Sequence, residues 1–415
     1  MRLHLQQRFG QRASHTNIFL PNPFCGRSCP LHGQLLDCAT AIDLMSSGNV
    51  HGRLYERSRA PGYRMYSQVI NDLAKASIPI RQLHGAGVVG VTLAAGRIIA
   101  LAFAPDGPNL LWSNPELADT EKVKAAPEKL AGGLGGDRLW FSPELRYHWA
   151  GKPDWRGLSN YHVPSVTDPG QYAYIDETPD RVALAAKGRL PVQGRSDEYL
   201  DFAVERKICM ADPPLPLNHP LMHGVDYVGV KTVHKLTVEG HNGAGEIALW
   251  HLLQTPVGSI LIVPLRHGHK TGPLSYGLPG GWQKTPESVI WRIEGKANAK
   301  LGIAAEALTG RSAILRGLCS DRWCLIVRQF PADASARYAD HPEGVHRDDQ
   351  VFQAWDGLGF GEMEYHSPVL NTAHGPRTLH DEDHLWAFGG TAQTIAALAK
   401  NLLDVDIRPL LPREQ

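Results

Sequence analysis

Residues 323–330 read WCLIVRQF, and this stretch predicts the class of fold. Its odd-numbered and even-numbered side chains fall on opposite faces of an extended strand, because successive side chains alternate. Similar short segments follow one another along the chain, separated by Gly, Pro, Asn and Asp. They are residues 171–175, 181–186, 201–210, 228–238, 246–253, 259–265, 351–355 and 360–366. Such a succession is typical of an all-β protein, and we predict one sandwich of antiparallel sheets over residues 80–390.

A few helices and one hairpin complete the predicted elements. The spacing of apolar residues predicts short helices over residues 66–76 and 391–403. Residues 85–104 are long enough for a membrane span, but Arg97 interrupts them. The halves 88–93 and 98–103 instead predict a β-hairpin whose turn contains Gly96. No repeat of about 20–50 residues is visible, which disfavours a propeller.

The charge and cysteine content exclude several classes of protein. The 42 Lys and Arg residues are balanced by 42 Asp and Glu residues, so the chain lacks the positive charge that binding to nucleic acid or an anionic membrane needs. Six cysteines in 415 residues do not form a disulfide framework. Residues 1–20 lack the apolar centre of a secretory signal, and we expect a cytoplasmic protein.

Residues 1–64 differ from the rest of the chain, since they are rich in Arg, Ser, Gly, Cys and Pro and show no sustained period. We predict a disordered leader or an extension outside the fold, followed by a single domain over residues 65–405. Cys25, Cys29, His32 and Cys38 are close enough to bind zinc, but their spacing fits no usual zinc motif. We therefore expect these cysteines to be incidental thiols.

The most informative segment for function is GGLGGDRLWFSPE, residues 132–144. Its glycines allow close approach of a ligand, Arg138 offers a forked donor, and Trp140 offers a flat apolar face. Glu144 adds an acceptor. Sugars require this combination, because their C–H patches stack on aromatic rings while their hydroxyls need polar partners. A hairpin with a structural Arg–Glu pair would explain the same residues.

Four motifs together resemble the galactose-mutarotase-like superfamily. They are GGDRLWFSPE (135–144), VTDPGQY (166–172), EIALWHLLQTPVGSILIVP (246–264) and GEMEYHSP (361–368). The resemblance covers roughly residues 80–390 and implies a β-supersandwich with a carbohydrate site on its concave face. Members of the superfamily include aldose 1-epimerases and domains of glycosidases and polysaccharide lyases.

The resemblance also implies a pair of catalytic residues. In aldose 1-epimerases a late glutamate takes the proton of the anomeric hydroxyl while a central histidine protonates the ring oxygen, which a carboxylate and an imidazole can do near neutral pH. Here the matching residues are Glu364 as base and His251 as acid. Glu362 lies on the same side of the strand, so either glutamate could be the base. The epimerase pattern Asn-His-x-x-Phe-Asn is absent around His251. A buried strand histidine and an outward strand carboxylate are the structural alternatives.

Further residues are predicted to complete the site. Gln254 ends the strand of His251, and His374, Arg377 and His380 follow closely after the strand of Glu364. Arg377 could pair with a substrate carboxylate or with Glu364. These three residues could equally cap the final helix.

His267 and His269 are two residues apart, so on a strand they would face one side and could share a metal, as in metal enzymes of the cupin type. No glutamate follows at the place of a third ligand. We therefore expect a polar loop here, and we predict no metal and no cofactor.

These patterns together predict a carbohydrate-active protein, foremost an aldose 1-epimerase-like enzyme whose partner is a sugar or sugar acid. A non-catalytic carbohydrate-binding protein would keep Arg138 and Trp140 but would need no acid–base pair. A glycoside hydrolase would need two carboxyl groups flanking the substrate, and a lyase would need a cation facing a uronate. The sequence alone leaves these alternatives open.

Overall fold

The computed structural model describes residues 64–125, 130, 133–243, 245–278, 280–319, 321–340, 349–372 and 378–412. Within them, the first ten strands are β1 (Ile80–His84), β2 (Val88–Thr92), β3 (Ile98–Ala102), β4 (Asp137–Ser142), β5 (Ala173–Thr178), β6 (Arg181–Pro191), β7 (Tyr199–Met210), β8 (Asp226–Asn242), β9 (Glu246–Pro256) and β10 (Ile260–Pro264). The next ten are β11 (Leu274–Gly277), β12 (Gln283–Lys284), β13 (Ser288–Arg292), β14 (Ala299–Ala304), β15 (Arg311–Gly317), β16 (Trp323–Gln329), β17 (Gln350–Gly357), β18 (Phe360–His366), β19 (Leu370–Asn371) and β20 (Thr378–Gly390).

The strands form two sheets of ten. Sheet A has the order β1-β2-β3-β4-β9-β18-β17-β14-β11, with β19 also paired to β9. Sheet B has the order β12-β13-β10-β15-β16-β20-β8-β7-β6-β5. Neighbouring strands within each sheet pair antiparallel, as in the register of β4 with β9 and of β9 with β18. The predicted all-β class is confirmed, and the predicted hairpin is formed by β2 and β3.

The main hydrophobic core lies between the two sheets. It combines apolar side chains of sheet A, such as Leu139 and Met363, with side chains of sheet B, such as Val204 and Leu236. The alternation predicted for residues 323–330 is confirmed. Ile326 belongs to the core between the sheets, whereas Leu325 and its odd-numbered neighbours belong to a second apolar cluster on the other face of sheet B.

Four short α-helices lie among the described residues: α1 (Tyr66–Lys75), α2 (Thr120–Ala125), α3 (Glu144–Tyr147) and α4 (Ala392–Leu403). The side chain of Thr391 accepts a hydrogen bond from the amide of Thr394 and caps the first turn of α4. Ile395 and Leu398 of α4 pack into the second apolar cluster. Helices α1 and α4 confirm the two predicted helices to within a residue at each end. None of the described helices combines the length and apolar character needed to cross a membrane.

The predicted N-terminal extension, apart from Arg64, lies outside the described residues, as do Cys25, Cys29, His32 and Cys38. The domain boundary near residue 65 therefore stays a prediction.

Candidate active site

A cavity of about 440 Å³ opens at the middle of sheet A. Its floor is formed by strands β4, β9, β18, β17 and β14, which are consecutive in the sheet. The floor residues are Arg138, Trp140, Trp250, Lys300, Trp355, Glu362 and Glu364. Apolar and aromatic side chains from the long link between β4 and β5, including Trp149, Trp155 and Leu158, form one wall.

Strand pairing brings the floor residues together from distant parts of the sequence. Trp140 on β4 is directly opposite Trp250 on β9, and Trp355 on β17 is directly opposite Glu362 on β18. Lys300 on β14 is in turn opposite Trp355. Residues directly opposite one another in a sheet share a face, so all of these side chains are on the face turned away from the core between the sheets.

Glu364 is buried in the floor of the cavity, with 1% of its surface exposed. The indole Nε1 of Trp250 donates a hydrogen bond of 2.7 Å to Glu364 Oε2, and Lys300 Nζ lies 3.2 Å from the same oxygen. The other oxygen, Oε1, is buried and has no hydrogen-bond partner among the described residues. A buried carboxyl oxygen of this kind is in a position to bond a ligand in the cavity.

Lys300 joins Glu364 to a second buried glutamate. Lys300 Nζ donates a hydrogen bond of 2.6 Å to Glu144 Oε2 and lies 4.4 Å from the centre of the Trp250 ring. The backbone amide of Glu144 is bonded to Asp340 Oδ1 at 2.6 Å, which fixes the start of helix α3. Two carboxyl groups from separate elements thus meet at one ammonium group.

The surroundings shift the protonation of these groups. Burial raises the pKa of Glu364 to about 8, an effect that Lys300 opposes and that Glu362 and Glu144 reinforce. Burial also raises the pKa of Glu144. Burial alone would lower the pKa of Lys300, but the nearby carboxylates, Glu144 first, raise it. Lys300 therefore stays charged, while Glu364 can exchange a proton near neutral pH.

Arg138 and Glu362 form a second charged pair beside the first. Arg138 Nη2 donates a hydrogen bond of 2.7 Å to Glu362 Oε1, and Gln254 Nε2 donates one of 3.2 Å to the same oxygen. The guanidinium of Arg138 also lies 4.0 Å from the centre of the Trp140 ring. The predicted binding residues Arg138 and Trp140 are therefore in contact at the cavity floor. Gln254 is bonded to Glu362 but is not among the residues that line the cavity.

Contacts with neighbouring side chains fix the positions of Trp140 and Trp250 in the cavity floor. The rings of Trp140 and Trp250 meet edge to face at 5.7 Å, and His148 stacks on Trp140 at 5.2 Å. Trp140 Nε1 donates a hydrogen bond of 3.2 Å to Asp168, which also pairs with the buried Arg97. Burial lowers the pKa of His148 to about 3, so this ring is a neutral packing partner near pH 7.

The structure does not bring His251 to the cavity. His251 is directly opposite Leu139 on β4 and Tyr365 on β18, and both of these residues belong to the core between the sheets. It is fully buried and stacks on the Tyr365 ring at 4.1 Å. The prediction that Glu364 and His251 point into one cavity is wrong, because the two residues lie on opposite faces of sheet A.

The other predicted residues have different outcomes. Glu144 lines the cavity, whereas His374 and Arg377 lie outside the described residues. His380 is exposed on β20 of sheet B and is not among the residues that line the cavity. His267 is exposed in the loop after β10, in agreement with the expected polar loop.

Sequence reasoning missed Lys300, Trp250 and Trp355 as residues of the site. Lys300 is the one charged residue of the strand AKLGIA, residues 299–304, and every residue of this strand is buried. A single lysine inside a buried strand is a signal, because lysine is almost never buried without a partner. The signal does not reveal which carboxylates provide the pairing.

Comparisons with known proteins give a family and a set of similar structures. A model for a family of unknown function, DUF6786, matches residues 65–411. The chain belongs to this family. Comparison of the DUF6786 chain with curated proteins finds no match.

Among solved structures, the DUF6786 chain is similar to a proposed aldose 1-epimerase of Escherichia coli K12, with 11% identity, a TM-score of 0.43, and 75% of this chain and 99% of that chain covered. It is also similar to a galactose mutarotase-like protein of Lactobacillus casei ATCC 334, with 9% identity, a TM-score of 0.40, and 75% and 100% of the two chains covered.

Proposed function

We propose that this protein binds a sugar in the cavity of sheet A and catalyses proton transfer at its anomeric centre, as an aldose 1-epimerase-like enzyme. The observation that carries the proposal is Glu364 Oε1, a buried carboxyl oxygen without a hydrogen-bond partner among the described residues, at a cavity floored by Trp140 and Trp250.

The composition of the cavity supports a sugar as the ligand. Trp140, Trp250 and Trp355 present flat apolar rings in the floor, and Glu144, Glu362 and Glu364 present acceptors for hydroxyl groups. Aromatic faces combined with carboxylates and forked donors match the two kinds of surface on a sugar ring. A volume of about 440 Å³ lies within the usual range for small-molecule sites.

The pairing of charges supports a neutral sugar over a sugar acid. Arg138 is bonded to Glu362 at 2.7 Å, and Lys300 contacts Glu144 at 2.6 Å and Glu364 at 3.2 Å. These two cations of the described cavity lining are therefore already neutralised by carboxylates. A uronate-specific lyase would instead present a cation to the substrate carboxylate.

The chemistry of mutarotation fits the two glutamates joined by Lys300. Opening of the sugar ring requires that the proton on O1 is removed while a proton is added to O5. After the open-chain aldehyde rotates about its C1–C2 bond, ring closure reverses both transfers and gives the other anomer. We assign Glu364 as the base at O1 and Glu144, whose pKa burial also raises, as the acid at O5 in place of His251. No net proton is consumed, because each carboxyl group recovers its starting state after closure.

The test is the rate of anomer exchange, measured by NMR for a panel of neutral aldoses and uronic acids. Glu364→Gln keeps the size of the side chain and removes its basicity. We expect this variant to lose at least about 100-fold in exchange rate and to retain sugar binding by calorimetry. The wild-type rate should rise with pH as Glu364 ionises towards its pKa of about 8, and it should fall where Glu144, the acid, loses its proton.

Glu287→Gln is a matched control, since Glu287 is an exposed glutamate away from the cavity. This variant should keep the wild-type rate. A wild-type protein that binds a neutral sugar without accelerating its mutarotation would contradict the enzymatic assignment and favour a carbohydrate-binding protein. Absence of sugar binding altogether would contradict the site.

A further inference from the structure

A second group of polar residues lies on the opposite side of sheet A, buried between the two sheets. His251 on β9 of sheet A faces His234 on β8 and Asp383 on β20 of sheet B, and all three are buried. Candidate ligand atoms of the three residues all lie within 4.8 Å of one another. The centres of the two imidazole rings are 4.5 Å apart, and the ring planes meet at 67°. The three residues are therefore close enough to share one small ligand.

The imidazole nitrogens of this group have no hydrogen-bond partners within the described part of the chain. Neither ring nitrogen of His234 or of His251 is bonded to another described residue, although all four are buried. His251 Nε2 lies 3.1 Å from Asp381 Oδ2, yet the two atoms are not aligned for a hydrogen bond. Buried polar atoms are nearly always bonded, so four unbonded nitrogens in one place require an explanation.

The charges around the two histidines favour a cation. Three buried carboxylates lie in this region, those of Asp137, Asp381 and Asp383. They outnumber by one the two buried guanidinium groups, those of Arg206 and Arg328. Arg328 donates to Asp383 at 3.0 Å and to Asp137 at 2.8 Å, and Arg206 donates to Asp137 at 2.8 Å. These bonds leave one carboxylate, Asp381, paired with no guanidinium group in the described network.

The side chains of this group are of the kinds that bind a metal ion. A neutral imidazole offers a lone pair, which is the form that binds a metal. Hydrogen bonds from Thr232 to Asp383 and from Tyr365 to Asp381 orient the carboxylates, as outer partners do in metal sites.

We propose that His234, His251 and Asp383 form a structural site for a divalent first-row transition metal such as Zn²⁺, beside Asp381, whose Oδ2 lies 3.1 Å from His251 Nε2. Two imidazoles with carboxylate oxygens are a donor set that suits such ions. The metal would tie β9 of sheet A to β8 and β20 of sheet B. It would lie directly behind Trp250, the neighbour of His251 in sequence and the donor to Glu364.

The test uses full-length protein made without a histidine tag in medium supplemented with Zn²⁺. Elemental analysis of the folded protein should find about one equivalent of zinc, and a strong chelator should lower the melting temperature. X-ray absorption at the zinc edge should show nitrogen and oxygen ligands with imidazole scattering. Folded wild-type protein with less than about 0.1 equivalent of zinc would overturn the proposal.

Two variants separate this site from other sources of zinc. Asp383→Asn together with His234→Gln should remove the metal, whereas His223→Ala, which changes an exposed histidine, should keep it. Zinc ligated by sulfur, and lost on changing Cys25 and Cys29 to serine, would assign the metal to the cysteine segment and contradict the proposal. The X-ray absorption spectrum of the wild-type protein distinguishes nitrogen and oxygen ligands from sulfur ligands even if the double variant does not fold.

Discussion

Glu364→Gln should stabilise the protein at neutral and alkaline pH, although it removes the proposed catalytic base. In the folded protein burial raises the pKa of Glu364 from an ordinary value of 4.5 to about 8. Below the lower value the carboxyl is protonated in both the folded and the unfolded chain. As the pH rises from there to about 8, the unfolded chain ionises first, so the free energy of unfolding falls. Glutamine does not ionise, so the free energy of unfolding of the variant does not fall in this way.

The size of the effect follows from the difference between the pKa of Glu364 in the folded chain and in the unfolded chain. A tenfold change in a proton-binding constant corresponds to about 1.4 kcal/mol. The wild-type protein should therefore lose on the order of 3 kcal/mol relative to the variant at pH 7, and on the order of 5 kcal/mol above pH 8. Lys300 does not become an unpaired buried charge in the variant, since it keeps its 2.6 Å bond to Glu144.

Urea unfolding of both proteins at several pH values between about 4.5 and 9 measures the difference. Glu287→Gln, at an exposed position, serves as the control and should follow the wild-type curve at every pH. A stability difference between Glu364→Gln and wild type that does not change with pH would refute the raised pKa. So would a variant that is less stable than wild type at pH 8.

Two further predictions concern the floor of the cavity. Trp140→Ala removes one stacking face and should weaken sugar binding roughly tenfold, which is the usual contribution of an aromatic contact. Calorimetry measures this affinity, and an unchanged value would show that Trp140 is not part of the site. Lys300→Met removes the cation that lowers the pKa of Glu364. The midpoint of the rise in anomer-exchange rate with pH should therefore shift from about 8 to a higher pH. A shift of the midpoint to lower pH would contradict the assignment of Glu364 as the group that titrates.

The fold could be predicted closely from local patterns. Strand β18 was predicted over residues 360–366 and spans Phe360–His366, and β16 differs from its predicted range by one residue. These strands alternate in sequence and end at turn residues, so each can be recognised without knowing its neighbours. The order of strands in the two sheets could not be predicted this way, because β4 pairs with β9 across more than 100 residues.

The site could be predicted only in part, and His251 shows the reason. Strand β9 is buried along nearly its whole length, on both faces. Its sequence therefore lacks the polar alternation that would indicate which side chains face the cavity and which face the core. Trp250 and Gln254 lie on the cavity face and His251 on the core face, a distinction that only the pairing with β4 and β18 reveals.

The sequence also does not show which charged and titratable residues lie together in the folded protein. Glu364 could be proposed from its motif, but its raised pKa depends on burial and on Lys300, which comes from a strand 64 residues earlier. His234 and Asp383 are adjacent only because β8 and β20 are paired in sheet B. Such groupings depend on long-range strand pairing, which local sequence patterns do not encode.

The most direct test of the proposed site is a crystal structure of the Glu364→Gln protein with a neutral aldose. The variant should bind the sugar and hold it without exchange of the anomers. We predict a sugar ring stacked on Trp140 or Trp250, with the anomeric hydroxyl within hydrogen-bond distance of the side-chain amide that replaces the Glu364 carboxyl. A sugar bound elsewhere on the protein, or held in the cavity with its anomeric centre turned away from residue 364, would contradict the assignment of Glu364 as the base.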